Sequence, residues 1–374
     1  MTDRLKVVVS GMVAGDPHHG GATWAVLQYV LGLRALGHDV MLVEPVDALS
    51  SATVTYARTA MAAAGVEHWA LLEESTHDTA GAAYRALLQF ATEADLLLNV
   101  SGMLTDQSLL EGISVRAYLD LDPAFVQLWQ AVEGIDMRFD AHTHFVTVGT
   151  NIGKPDCHVP TCDRTWLTTL PPVVLSEWRP ADDIVHDAFT TVGNWRGYGS
   201  IQHDGVFYGQ RAHSLREYIE LPTRSGERFA LALAVHPDET ADLHALQVNG
   251  WELLDPRVLA GTPDDYRSFV QGSKAELGIA KSGYVVSRSG WFSDRSACYL
   301  ASGRPVAAQD TGFGDALPTG VGLLSFATID SALAVVDEIS CDYPRHQKAA
   351  REIAEGYLDS SKVLERLLGH LTST

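Results

Sequence analysis

The chain has little cysteine, no long hydrophobic run and no signal-peptide pattern in its first residues. Its four cysteines lie at positions 157, 162, 298 and 341, too few in 374 residues for a disulfide-stabilised scaffold. No apolar stretch approaches the roughly 18 residues of a transmembrane helix, so we expect no membrane span. The first residues, MTDRLKVVVS, lead directly into a strand and lack a signal-peptide pattern, which predicts a cytoplasmic protein.

Positive charge is also scarce. The chain has 27 basic and 47 acidic residues, for a formal net charge of −20. Such a balance disfavours broad binding to nucleic acid or to an anionic membrane. A local basic patch is compatible with this net charge, but we expect no nucleic-acid partner.

The pattern of apolar segments predicts an α/β protein with two domains, 1–183 and 184–374. Predicted strands cover 5–10, 39–43, 96–100, 115–119 and 144–148, then 189–192, 229–235, 251–254, 277–280 and 306–308. Predicted helices cover 22–35, 51–64, 79–92, 212–219, 240–248, 264–272, 294–301 and 346–369. A proline-containing, loop-rich stretch at 150–187 separates the two halves.

The first βα loop, GMVAGDPHHGG, lacks the GxGxxG spacing of a dinucleotide site, so NAD is a weak candidate. The segment 289–312 is more informative. Ser293 is a good N-cap for a helix that ends at Gly303, and a buried strand follows. A helix N-terminus preceded by the small residues of Ser287–Gly290 is a ready anion site, which predicts that a diphosphate binds there.

Charged residues near predicted strand ends are further candidates. Arg196 and Lys281 each follow a strand of the second half and are expected to project into a cleft, or else to form surface ion pairs. Trp195 either stacks on a base or sugar or packs the domain boundary. The 294–301 helix begins with Asp294, Arg295 and Ser296. Arg295 or the Ser296 hydroxyl is placed there to neutralise a diphosphate. The alternative is that Asp294 merely favours the helix dipole and that Arg295 is solvated.

Two clusters raise the question of a metal. Asp120 and Asp122 share one strand face, as do His142 and His144, and the four either line a polar acceptor cleft or bind a metal. The triplet Cys157, His158 and Cys162 has no evident fourth ligand. We therefore expect no metal.

Three segments carry a family resemblance: His18-His19-Gly20-Gly21 before the first helix, Gly37-His38-Asp39-Val40, and 289–312 with its Gly303–Pro305 step and the following Gln309-Asp310-Thr311-Gly312. The chain resembles the GT-B glycosyltransferases over nearly its whole length. That resemblance implies two Rossmann-like domains facing each other across a cleft, with the last helix packing back toward the N-terminal domain. It also implies a nucleoside-diphosphate sugar as co-substrate, with no cofactor and no metal.

The resemblance also implies roles for individual residues. A histidine of the first loop, His18 or His19, is the expected general base, oriented by Asp16 or Asp120; alternatively, the N–H groups of Gly20 and Gly21 bind the donor phosphate. Asp122, His142 and His144 are expected on the acceptor side. Donor contacts are expected from Gly20, Gly21, Trp195, Arg196, Arg257, Val258, Lys281, Ser289, Gly290, Ser293, Asp294, Arg295, Ser296, Gln309, Asp310, Thr311 and Gly312.

Within that donor set, Arg257 and Val258 lie where a nucleobase is held, and Gln309 and Asp310 are expected to reach sugar hydroxyls, unless Asp310 only caps a turn. One departure concerns stereochemistry. Many retaining members carry two glutamates with seven residues between them, and here the corresponding positions are Gly290 and Cys298. Inversion or retention therefore stays open.

The expected activity is sugar transfer from a nucleotide sugar to a small-molecule acceptor, with UDP the first nucleotide to consider. The alternatives are a non-hydrolysing nucleotide-sugar 2-epimerase and a non-catalytic nucleotide-sugar binding protein. The sugar, the acceptor and the oligomeric state stay open.

Overall fold

Two separate β-sheets, each flanked by helices, form the structure, a computed structural model that describes residues 4–372. The first domain holds strands β1 (Lys6–Ser10), β2 (Asp39–Pro45), β3 (Trp69–Glu73), β4 (Asp78–Gly81), β5 (Leu96–Val100), β6 (Val115–Asp120), β7 (His144–Thr147) and β8 (Trp166–Thr168), with helices α1 (Gly20–Ala35), α2 (Ser51–Ala63), α3 (Tyr84–Thr92), α4 (Gln107–Leu110) and α5 (Phe125–Ala131).

The second domain holds β9 (His186–Asn194), the hairpin β10 (Ile201–His203) and β11 (Val206–Tyr208), β12 (Phe229–Ala234), β13 (Glu252–Leu253), β14 (Ser273–Gly278), β15 (Val306–Gln309) and β16 (Leu323–Phe326). Its helices are α6 (Arg211–Glu217), α7 (Leu221–Arg224), α8 (Thr240–Val248), α9 (Pro256–Leu259), α10 (Pro263–Gly272), α11 (Ser282–Ser287), α12 (Asp294–Ala301), α13 (Ile329–Cys341) and α14 (Tyr343–Ile353); a π-helical turn (Ala354–Leu358) and α15 (Ser360–Thr372) follow.

Both sheets are doubly wound. The first has the order β4-β3-β2-β1-β5-β6-β7-β8, parallel except for the edge pair β3 and β4, and the second has the fully parallel order β13-β12-β9-β14-β15-β16. Their central strands are apolar because helices cover both faces, as in β5, where every residue is buried. The order in which successive strands are added to the sheet reverses beside β1 in one sheet and beside β9 in the other, so the loops after these strands lie where such folds bind ligands.

The end of the chain returns to the first domain, as predicted. On α1, Gly32 contacts α15 so closely that a Cβ there would lie 2.6 Å from Leu364. The Val173 N–H donates to Leu358 O at 2.7 Å, and the Ser360 N–H donates to Val173 O at 2.9 Å. The predicted single helix over 346–369 is wrong in one respect, because the π-helical turn and Asp359 separate α14 from α15.

The domains touch where the start of α1 meets the junction of α9 and α10. The Gly20 N–H donates to Ala260 O at 2.9 Å, and Trp24 Nε1 donates to Pro263 O at 2.8 Å. A Cβ on Gly20 would lie 2.1 Å from Thr262 O, so only glycine permits this approach. Gly20 therefore joins the domains, and the prediction that its N–H binds donor phosphate is wrong.

Other departures from the predicted elements have tertiary causes. The predicted helix over 79–92 starts only at Tyr84, because Asp78–Gly81 pairs with β3 as an edge strand. The strand predicted from 277 starts at Ser273. Within residues 4–372, no helix is both long and apolar enough to cross a membrane.

Candidate active site

A cavity of about 300 Å³ lies between the domains, beside the carboxyl ends of β1 and β9. The first domain lines it with Met12, Asp16, His18, His19, Gly21, Ala22 and Ala25, and the second with Val192, Gly193, Asn194, Ala234, Pro256, Arg257, Ala260, Tyr266, Asp294 and Arg295. The structure thus gathers part of the predicted site, namely Asp16, His18, His19, Gly21, Arg257, Asp294 and Arg295. Ligands of open α/β sheets bind at such positions.

The loop after β1 is fixed by a buried glutamate that the sequence analysis did not single out. Glu44, at the end of β2 and 1% exposed, accepts the N–H groups of Ala14 at 2.8 Å and Gly15 at 2.7 Å. Burial raises the pKa of Glu44, although these two N–H groups favour the charged form. The Thr23 hydroxyl donates to Val13 O at 2.9 Å. These contacts hold the loop that carries Asp16 at the cavity.

The two histidines of this loop differ in their surroundings. His19 Nδ1 lies 3.0 Å from Asp16 Oδ2, and both side chains are accessible, at 40% and 62%. His18 has a left-handed backbone (φ +74°) and its ring meets Tyr56 edge-on, with centroids 5.9 Å apart. A carboxylate at Nδ1 holds the proton there and leaves Nε2 free to accept one, so His19 has the arrangement of a general base.

Asp120, the other predicted orienting carboxylate, does not reach either histidine. It is fully buried and accepts from Gln127 Nε2 at 2.8 Å, the Thr147 hydroxyl at 2.7 Å and the Asp122 N–H at 2.8 Å. Burial raises the pKa of Asp120 to about 6. Its prediction as a catalytic residue is wrong, because all its contacts fix the turn after β6.

Arg295 lies at the first turn of α12 in the wall of the cavity. Its Nε donates to Glu276 Oε1 at 2.5 Å and its Nη1 to Val192 O at 3.2 Å. Burial disfavours the charge, yet the Glu276 carboxylate raises the pKa of Arg295 above its ordinary value. The neighbouring Ser293 hydroxyl caps α12 by accepting the Arg295 N–H, while Ser296 is 2% exposed and does not line the cavity.

Arg211 is a second buried cation, and no local sequence signal marks it. Its Nη1 donates to Asn194 O at 2.9 Å and its Nε to Ile279 O at 3.0 Å, with no carboxylate among its hydrogen-bond partners. Burial lowers the pKa of Arg211 to about 9, and nearby Arg295 adds to the effect. Its guanidinium lies behind Gly193, which lines the cavity, so two buried cations lie at this side of the cavity, opposed by the carboxylates of Glu276 and Asp294.

The loop predicted to receive a phosphate is instead filled by the first domain. The Asn151 N–H donates to Ser289 O at 3.0 Å and the Thr150 hydroxyl to Gly290 O at 3.0 Å. A Cβ on Gly290 (φ +73°) would lie 2.3 Å from that hydroxyl oxygen. Asn151 Nδ2 also donates to Gly312 O at 3.1 Å. Ser289, Gly290 and Gly312 therefore hold the domains together.

The residues predicted to bind the donor sugar instead form hydrogen bonds within the second domain. Gln309 accepts the Ala280 N–H at 3.2 Å and is 4% exposed. Asp310 accepts the Gly312 N–H at 2.8 Å, which is the turn cap considered as its alternative role. The Thr311 hydroxyl donates to Trp291 O at 2.5 Å. None of Gln309, Asp310 and Thr311 lines the cavity.

Lys281 and Asp122 form an ion pair away from the cavity, with Nζ 2.9 Å from Oδ2. Asp122 also accepts the hydroxyls of Tyr198 and Tyr284, and the Lys281 ammonium lies 4.2 Å from the Tyr198 ring centroid. Burial lowers the pKa of Lys281, although Asp122 opposes this. The predicted donor contact of Lys281 and acceptor contact of Asp122 are therefore replaced by a contact between the domains.

Five further predicted residues lie off the cavity. Trp195 is 1% exposed, and its Nε1 donates to Asp242 Oδ2 at 3.0 Å. Arg196 forms an ion pair with Glu239, and Val258 is 68% exposed. His142 is 8% exposed; its Nε2 accepts from Asn99 Nδ2 and its Nδ1 donates to Arg138 O. Burial lowers the pKa of His142 to about 4. His144 starts β7, at the opposite end of the strand from the carboxyl-end loops. Across residues 4–372, His, Cys, Asp and Glu side chains form no group of three that suits a metal.

Comparison with known proteins identifies the fold. No protein-family model and no curated protein matches the chain. An α-glucosyltransferase solved with UDP matches at a TM-score of 0.64 and 13% identity, covering 98% of this chain and 100% of that one. Another structure of an α-glucosyltransferase contains UDP and a 13-mer DNA, with a TM-score of 0.64, 13% identity and coverages of 99% and 100%. Anabaena HepE with UDP-glucose matches at 0.62 and 12%, covering 98% and 100%. The predicted fold class is confirmed: the chain has the GT-B fold.

Proposed function

We propose that the protein is a glycosyltransferase that moves a sugar from a nucleoside-diphosphate sugar to a small-molecule acceptor. One observation carries the proposal: a single cavity at the switch points of both sheets has His19 and Asp16 on one wall and Arg257 and Arg295 on the other. UDP is the first nucleotide to test, since similar solved structures hold UDP or UDP-glucose.

The donor diphosphate belongs beside Arg295 and Gly193, behind which Arg211 lies. Negative charge grows on the departing nucleoside diphosphate in the transition state, and fixed cations in a water-poor site stabilise it there. Arg211 hydrogen-bonds to no carboxylate, and Arg295 lines the cavity with one hydrogen bond to Glu276 and with the Asp294 carboxylate beside it, so these two arginines are the groups at this side of the cavity with which a diphosphate would pair. Pro256 and Arg257, at the start of α9, supply the side of the cavity for the nucleobase.

The acceptor approaches from the first domain. Asp16 holds the Nδ1 proton of His19, so that Nε2 takes the proton of the attacking hydroxyl as the new glycosidic bond forms. Enclosure between the domains aligns the two substrates and favours transfer over hydrolysis. A net charge of −20 supports a small acceptor over a DNA polyanion.

Calorimetric titration with UDP, GDP, TDP and ADP tests the donor half of the proposal. The protein is then incubated with the matching nucleotide sugar, with and without a panel of alcohols, and nucleotide release and glycoside are measured by mass spectrometry. Acceptor-dependent glycoside formation is the expected result. A sugar altered at C2 without any acceptor would show an epimerase, and tight nucleotide binding without any turnover would show a binding protein.

A further inference from the structure

A carboxylate lies inside the second sheet, directly behind the cavity wall. Glu276 belongs to β14, an interior strand of that sheet, and its side chain is 0% exposed. Its Oε1 accepts the Nε–H of Arg295 at 2.5 Å. Arg295 lines the cavity and Glu276 does not. A ligand in the cavity is therefore affected by Glu276 chiefly through Arg295.

This ion pair leaves one end of the Arg295 guanidinium without a protein partner. Nε donates to Glu276 and Nη1 donates to Val192 O at 3.2 Å, but Nη2 donates to no group among residues 4–372. Oε2 of Glu276 is buried and also lacks a partner, so the pair is not the bidentate one that arginine and carboxylate often form. Unlike that oxygen, Nη2 retains accessible surface, which makes it the nitrogen available to a ligand.

Stability alone does not account for a charged pair at this place. The cost of removing two charges from water often equals or exceeds what their attraction returns, and apolar residues in such positions are commonly as stable. The neighbours of Glu276 on the adjacent strands, Thr190 and Val306, are uncharged and 0% exposed. What the pair does provide is a fixed direction for the guanidinium, which is held at Nε by Glu276 and at Nη1 by Val192 O.

We propose that Glu276 is a positioning residue for the donor: it orients Arg295 so that Nη2 donates to the diphosphate, and it does not touch the ligand itself. A cation that is already oriented needs no rearrangement when charge develops on the departing nucleoside diphosphate. The identity of the donor rests on the function proposed above, whereas the dependence of diphosphate binding on Glu276 does not.

Two substitutions separate orientation from charge. Glu276→Gln keeps an oxygen for Arg295 Nε and removes the charge, whereas Glu276→Asp keeps the charge and withdraws it by one methylene. Calorimetric titration of the full-length proteins gives the Kd for UDP. We expect Glu276→Asp to raise this Kd about tenfold, the loss of one hydrogen bond to a charged group, and Glu276→Gln to stay within about twofold of the wild type. The reverse order of the two variants, or one Kd shared by all three proteins, would overturn the inference.

A double-mutant cycle tests whether Glu276 acts through Arg295. In an Arg295→Gln background, Glu276→Asp should cause no further rise in the Kd for UDP, because the group that Glu276 positions is gone. A second rise of about tenfold would contradict the proposal. Uridine, which lacks phosphate, should bind to Glu276→Asp as it does to the wild type. An equal loss of uridine and UDP affinity would mean a general structural defect and would also contradict it.

Glu227→Asp is the matched control. Glu227 pairs with Lys274 of the same strand, with Nζ 2.6 Å from Oε2, and neither residue lines the cavity. We expect this variant to bind UDP like the wild type. Pyrophosphate separates the inference from the proposed function. If pyrophosphate binds with the same dependence on Glu276 and UDP does not bind, only the proposed function fails. If UDP binds equally to the wild type and Glu276→Asp, only the inference fails.

Discussion

Lys281 of the second domain and Asp122 of the first form an ion pair across the domain boundary, with Nζ 2.9 Å from Oδ2. Tyr198 and Tyr284 donate their hydroxyls to the same carboxylate. One carboxylate therefore gathers three donors from the second domain. This contact fixes the two domains relative to each other.

Asp122→Asn should destabilise the protein and loosen the domain contact. The side chains of Lys281 and Asp122 are 20% and 22% exposed, so the loss falls between that of an exposed pair and that of a fully buried one, at about 2 kcal/mol. Urea unfolding gives the free energy, and small-angle scattering reports the domain separation. The double variant Asp122→Leu with Lys281→Met should recover part of the loss, since no charge is then left unpaired. No recovery would show that the tyrosine hydroxyls, and not the ion pair, join the domains.

Glu44→Gln should weaken the loop that presents Asp16 and His19. The amide NH₂ would face one of the two N–H groups, of Ala14 or Gly15, that the carboxylate now accepts. We expect a loss of about 1–3 kcal/mol in unfolding free energy, from a buried donor left unpaired. Glu252→Gln is the control, because its partner Arg228 and the carboxylate itself are exposed. Equal unfolding free energies for the two variants would contradict the role of Glu44.

The fold was predictable from sequence where a segment is buried on both sides. The run Leu96–Val100 is apolar except for Asn99 because helices cover both faces of its sheet, and its predicted bounds match β5. The loop carrying Asp16 and His19 was predictable because it follows the first strand of a doubly wound sheet. Long-range contacts could not be predicted from local sequence. Asn151 of the first domain hydrogen-bonds to Arg288 O and Ser289 O in the loop predicted for phosphate, and only the fold brings Arg211 behind Gly193.

The His19–Asp16 pair should be needed for transfer and not for donor binding. If His19 accepts the acceptor proton, His19→Gln lowers kcat by about 10²–10⁴-fold and leaves the UDP dissociation constant within about twofold. Asp16→Asn should have a smaller effect of the same kind, because it removes only the group that orients the ring. Steady-state kinetics with calorimetric UDP titration separate the two quantities.

A second histidine–carboxylate pair provides the control for that experiment. His68 Nδ1 lies 3.7 Å from Asp39 Oδ1, and neither residue lines the cavity. His68→Gln should therefore leave both kcat and UDP affinity unchanged. If His19→Gln turns over like His68→Gln, the proton goes elsewhere and His19 is not the base.

Acid should destabilise the protein in part through His142. Burial lowers its folded pKa to about 4, against an ordinary value of 6.5. As the pH falls below 6.5, the histidine takes up a proton in the unfolded chain before it does so in the folded one. The contribution of His142 to the free energy of unfolding is therefore complete above pH 6.5. It is lost as the pH falls toward 4, by up to about 3 kcal/mol. Asp120 acts in the opposite sense, because its pKa is raised to about 6 and its contribution is lost as the pH rises.

The variant His142→Gln isolates the histidine. Glutamine retains a donor for Arg138 O and an acceptor for Asn99 but does not titrate. Urea unfolding of both proteins between pH 7.5 and 4 should give a difference in free energy that shifts in favour of the variant as the pH falls. A difference that stays constant over this range would mean that His142 is not protonated on unfolding.

Gly193→Ala should disturb the side of the cavity behind which Arg211 lies. Gly193 has φ +153°, which L-residues rarely adopt, and an added Cβ would lie 2.5 Å from Arg211 Nη1. The guanidinium cannot withdraw freely, because Asn194 O and Ile279 O both hold it. We expect a loss of about 1–3 kcal/mol in stability and a weaker UDP affinity, measured by urea unfolding and calorimetry. Gly199→Ala, in the loop that follows β9, where an added Cβ would meet no atom within 4 Å, should change neither. Unaltered UDP affinity in a folded Gly193→Ala protein would separate Arg211 from donor binding and leave Arg295 as the remaining buried cation at the diphosphate.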